Sequence, residues 1–62
     1  MEKKLIVTAK CGTLEYQAEA NPYNSNAHEE QYDSCIKDIN KQIDKAGKSE
    51  MKPAFIFTYK VK

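Results

Sequence analysis

Few side chains in this 62-residue chain could do chemistry: one histidine, His28; two cysteines, Cys11 and Cys35; and an acidic group, Glu29, Glu30 and Asp33. A catalytic histidine needs a nucleophile or an acid within hydrogen-bond reach. Cys35 stands about two helical turns away on a face expected to be buried, and Ser34 points elsewhere. His28 therefore reads as a partly covered residue at a helix start. Carboxylate pairs do acid–base work when pocket walls push their pKa values apart. These three fall in the first turns of a convex helix, where they complement its dipole.

Other chemistries lack their parts. There is no C-x-x-C and no second histidine, so no structural zinc site is expected. Both glycines are needed for turns, which leaves none for a phosphate-binding loop. The expectation is a non-enzymatic protein without metal or cofactor, and a fold with too little volume for a ligand cleft of several hundred Å³.

Composition sets the frame for what remains. At 40% hydrophobic with two Gly and two Pro, the chain is not a disordered one. A chain of this length makes one small domain, residues 1–62, with a limited core. Leu5-Ile6-Val7 and Ala54 to Phe57 are the longest apolar runs, both too short to cross a membrane. "MEKKLIVTAK" lacks the apolar core of a signal peptide, which suggests a cytoplasmic protein. Cys11 and Cys35 are then expected to be free thiols. Net charge is +1, and all ten basic residues are lysine, without the arginine fork suited to phosphate or guanine.

Three elements must position any site. In "VTAKCGTLEYQAEA", Gly12-Thr13 is a Gly-X pair of the kind that makes a two-residue type II′ hairpin loop. Counting outward pairs Cys11 with Leu14, Ala9 with Tyr16, Val7 with Ala18 and Leu5 with Ala20, all on one face. The other face pairs Lys10 with Glu15, Thr8 with Gln17, Ile6 with Glu19 and Lys4 with Asn21.

"NPYNSNAHEE" is a loop by composition. Asn26 is the expected N-cap, with Glu29 completing a capping box, and Gly47 the expected C′ residue. The helix between them, about Ala27 to Ala46, would be roughly 30 Å long. Tyr32, Cys35, Ile36, Ile39, Ile43 and Ala46 share one face, and Lys37, Lys41 and Lys45 the opposite one. Asp33–Lys37 and Asp44–Lys48 have ion-pair spacing.

After a polar connector, "PAFIFTYKVK" alternates again, with Phe55, Phe57, Tyr59 and Val61 on one face and Ile56, Thr58 and Lys60 on the other. Pro53 at its start favours an edge position. The fold class is thus α+β: a two-layer β-β-α-β domain with a three-stranded antiparallel sheet in the order 2-1-3 and one helix on one face. The simpler order 1-2-3 is the alternative.

Three surfaces could bind a partner. On the outer sheet face, Ile6 and Ile56 would be near neighbours with Thr8, Thr58 and Lys60 around them, a contact patch or a homodimer seam through the sheet. Two isolated β-branched residues chosen for strand propensity would look the same. Tyr23, amid Asn and Ser, is either a contact residue or a cap on the core. The Lys37, Lys41, Lys45 stripe, with Lys60, would serve a nucleic-acid binder, although four-residue lysine spacing also marks an ordinary solvated helix face.

The leading expectation is a protein–protein interaction module acting on a larger protein partner through Ile6, Tyr23, Ile56 and Thr58. The alternative is a small nucleic-acid-binding protein using the lysines. In size and β-β-α-β plan the chain resembles the small phage or mobile-element inhibitors of host proteins, anti-CRISPR and polymerase inhibitors among them. That resemblance implies inhibition by covering a surface; it rests on general plan alone.

Overall fold

The computed structural model describes residues 3–62. Strand β1 (Leu5–Cys11) and strand β2 (Leu14–Ala20) form the hairpin, and helix α1 (His28–Lys45) follows. Strand β3 (Ile56–Val61) closes an antiparallel sheet in the order β2-β1-β3. The hairpin register is the expected one at every position from Leu5–Ala20 to Cys11–Leu14. Gly12 has φ +60° while Thr13 keeps a negative φ, as a type II′ loop requires and a type I′ loop would not.

Leu5, Val7, Ala9, Ala18, Cys35, Ile39, Ile43 and Phe55 form the buried core. Ala46, expected on the same helix face, is exposed because it caps the helix beyond the sheet. The small side chains of Ala9 and Ala18 admit the helix, which rests mainly on β2 and β1. On the far flank Phe55 is buried, with its ring 5.8 Å from that of Tyr16.

The helix ends follow hydrogen-bond demand, in one case differently from expectation. At the C-terminus, Gly47 (φ +72°) donates to the Asp44 carbonyl and Lys48 to that of Ile43, a complete Schellman closure. At the N-terminus a 3₁₀ turn (Ser25–Ala27) precedes the helix, which moves the cap back to Asn24, and the Asn26–Glu29 box does not form. Asn24 Oδ1 accepts from the Asn26 amide at 2.9 Å. Gln31 then clamps the loop: its Oε1 accepts from the Asn24 amide, and its Nε2 donates to the Pro22 carbonyl. The Asn21–Pro22 bond is cis.

The connector is more ordered than its composition suggested. Ser49–Ala54 is a 3₁₀ helix that contains Pro53, so the proline does not open the strand. This segment brings Lys52 back to the helix end, where its Nζ lies 2.8 Å from Asp44 Oδ1. Asp44 therefore pairs with Lys52 in place of Lys48.

Candidate functional site

One helix with its side chains is about 10 Å wide and strands lie about 4.8 Å apart, so one helix covers two strands and leaves a third open. Here the uncovered strand is β3. Its helix-side residues Tyr59 and Val61 remain 57% and 40% exposed, and Ile56 on the outer face is 69% exposed. These three and Met51 are the large apolar side chains exposed among the described residues.

Between α1 and β3 runs an open groove of about 360 Å³ lined by His28, Glu29, Tyr32, Asp33 and Tyr59. Its floor is aromatic. The His28 and Tyr32 rings lie nearly parallel at 6.2 Å, and Tyr59 meets them edge-on at 5.1 and 5.6 Å. Tyr23 folds back against this group, its Oη 2.9 Å from His28 Nδ1, and so serves as a half-buried prop of the imidazole. Carboxylates of Glu29 and Asp33 form the rim. An aromatic floor under two acids suits an apolar side chain with a cationic end.

This groove was not foreseen as a site. Tyr32 and Tyr59 read as core by periodicity, which shows that residues share a face without showing that anything covers it. A groove of this volume also corrects the expectation that the fold has no room for one, because it forms at the surface between layers and takes nothing from the core.

The outer sheet face differs in one respect from expectation. Lys10 faces Ile56, Thr8 faces Thr58 and Ile6 faces Lys60. Ile6 and Ile56 are thus separated by the Thr8–Thr58 pair, about 13 Å along the sheet, and are not neighbours. The antiparallel register between β1 and β3 places them at opposite ends of the shared stretch. Ile6 is half-buried; Ile56 stands over a shallow hollow of about 300 Å³ lined by Thr8, Lys10, Gly12 and Thr58. Among the described residues the ion pair on this face is Lys4–Glu19 at 3.7 Å, although the register sets Lys10 opposite Glu15.

The lysines do not form one surface. Lys37, Lys41 and Lys45 are exposed on the helix, while Lys60 lies on the sheet face turned away from it. A hollow of about 530 Å³ at the helix start is lined in part by Glu29 and Glu30 and is therefore unsuited to an anion.

Cys11 and Cys35 are free thiols, the first half-buried and the second buried. Burial pushes the Cys35 thiol above its ordinary pKa, and the charge of Asp38 adds to this. Among the described residues no three His, Cys, Asp or Glu side chains converge on a metal position. No helix there is long and apolar enough to cross a membrane. Comparison with known proteins finds no matching family model, no matching curated relative and no matching solved structure.

Proposed function

We propose that this chain is a non-enzymatic protein–protein interaction module that engages a larger protein through β3 and the groove beside it. The observation that carries the reading is the exposure of Tyr59, Val61 and Ile56 on β3, beside a strand β1 whose helix-side residues Leu5, Val7 and Ala9 are buried. Leaving apolar surface in water forgoes about 25 cal/mol for each Å², and Tyr59 and Val61, two residues apart on the helix-side face, give the adjoining apolar exposure that marks contact sites. Tyr59 and Ile56 supply anchors on two faces, Thr58 lies beside them, and the acidic rim selects a partner segment carrying lysine or arginine. Ile6 and Tyr23, both partly covered, support the surface more than they form it.

Size and β-β-α-β plan resemble those of small inhibitors that act by covering a functional face of a host protein, and this likeness supports an inhibitory role. Two free thiols suit a reducing compartment, the cytoplasm. A nucleic-acid binder is the competing reading, supported by the exposed Lys37, Lys41 and Lys45 stripe.

Affinity capture from the native host separates these readings. Capture of a defined protein that is lost with Tyr59→Ala and Ile56→Ser, and kept with Lys37, Lys41 and Lys45 all changed to Gln, supports the module. Capture of nucleic acid that weakens steeply with salt and depends on the three lysines would overturn it.

A further inference from the structure

The two edges of the sheet are not equivalent. Lys4 and Lys62 exchange both backbone hydrogen bonds. In an antiparallel ladder such pairs alternate, so the register assigns the β1–β3 bonds to Ile56, Thr58, Lys60 and Lys62. The backbone N–H and C=O groups of Phe57, Tyr59 and Val61 consequently face outward from the sheet. By the same alternation Glu15, Gln17 and Glu19 face outward from β2. There, however, Gln42 Nε2 reaches from the helix to the Gln17 carbonyl at 3.0 Å and closes the centre of the edge. Nothing equivalent closes β3 among the described residues.

We infer that β3 pairs with β3 of a second copy of this chain, antiparallel, with Tyr59 on the two-fold axis, to make a continuous six-stranded sheet. The strand is self-complementary in this register. Tyr59 faces its own copy, and Phe57 faces Val61 of the other chain, so every outward backbone group meets a partner in six hydrogen bonds. Both helices fall on the same side, and the apolar side chains of the two strands meet between them. Lys60 falls opposite Thr58 and Lys62 opposite Ile56, so no lysine faces a lysine. Shifting the axis to Lys60 would set two lysines against each other. Shifting it to Thr58 would leave Val61 without a free partner, because the Phe55 amide already donates to Lys52. A head-to-tail union of β3 with β2 would attract by charge, but it would displace Gln42 and grow without closure. The inference goes beyond the partner reading: it uses the strand's backbone, and it leaves Ile56 and Thr58 accessible on the outer face.

The full chain can be tested by sedimentation equilibrium together with amide hydrogen exchange. The expected result is a reversible dimer in which the Phe57, Tyr59 and Val61 amides gain protection as concentration rises. N-methylation of the Tyr59 amide in a synthetic chain should give a monomer with an unchanged circular dichroism spectrum. Should that chain fail to fold, Val61→Pro removes an outward N–H without breaking a bond to β1. By symmetry this costs two bonds per dimer and should weaken it roughly ten- to a hundredfold. The inference is overturned by a wild-type monomer up to about 1 mM, by open-ended growth, or by a dimer that survives both changes. A monomer that still captures its partner removes only the dimer. A dimer without partner capture removes only the partner reading.

Discussion

Gln42 Nε2 donates to the backbone carbonyl of Gln17 at 3.0 Å, so a helix side chain seals the middle of one sheet edge while the opposite edge stays open. Open edges are sites of strand pairing, and proteins usually protect them. The difference between the edges therefore gives the molecule a direction: β2 is closed and β3 is available.

Removing the seal should show its role. Gln42→Ala is expected to cost about 0.5–1.5 kcal/mol, the net worth of one hydrogen bond. It should also raise self-association through β2, visible as larger species at high concentration in sedimentation. A variant of unchanged stability that stays the size of wild type would show that the contact is incidental.

Two isoleucines separate core from contact surface. Ile39 is fully buried and Ile56 is 69% exposed. Ile39→Ala should lose about 2–5 kcal/mol, enough to unfold much of a domain this small. Ile56→Ala should stay within about 0.5 kcal/mol of wild type while reducing partner capture. Urea titrations of the two variants give the comparison directly.

Gly47 tests backbone strain in isolation. Its φ is +72° and a methyl group there would meet no atom within 4 Å. Gly47→Ala should therefore cost about 1–2 kcal/mol, from left-handed conformation alone. D-alanine at the same position suits that conformation and restricts the unfolded chain, so it should stabilise by about 0.4–1 kcal/mol. Thermal melts of the two synthetic chains should move in opposite directions.

The thiols should differ in reactivity, and Cys35 should weaken the fold at high pH. Half-buried Cys11 should react with a thiol reagent well before buried Cys35, whose pKa is raised by desolvation and then by Asp38. A raised thiol pKa means that the unfolded chain loses the proton first. Stability is then complete below about pH 8.5 and falls as pH rises toward the higher folded value. Cys35→Ala should reduce this alkaline loss in pH-dependent melts.

Much of the fold was legible because several local signals agreed. Gly12-Thr13 with strict alternation on both sides left one workable hairpin register, and the Ile36, Ile39, Ile43 spacing fixed the helix face. Strand order followed from the more apolar β1 being central. Ser49–Ala54 was not legible, since a 3₁₀ segment has no periodic apolar face, and Pro53 resembled a strand start. The cap at Asn24 was missed because Gln31, seven residues away, completes it through space.

The site was less legible than the fold. Alternation in β3 marked Phe55, Phe57, Tyr59 and Val61 as one face, but how far one helix reaches across three strands depends on packing. Ala9 and Ala18 draw the helix toward β2, and Tyr59 is left beside it, uncovered. The separation of Ile6 from Ile56 depended on a register between strands distant in sequence, which no local turn fixes.

Site-specific photo-crosslinking tests the central claim most directly. A benzophenone side chain placed at Tyr59, or at Lys41 as a control on the lysine stripe, is irradiated in the native host. The expected result is discrete protein adducts from position 59, to a larger partner or to a second copy, and none from position 41. Adducts from position 41 alone, or adducts to nucleic acid, would contradict the assignment of β3 and its groove as the working surface.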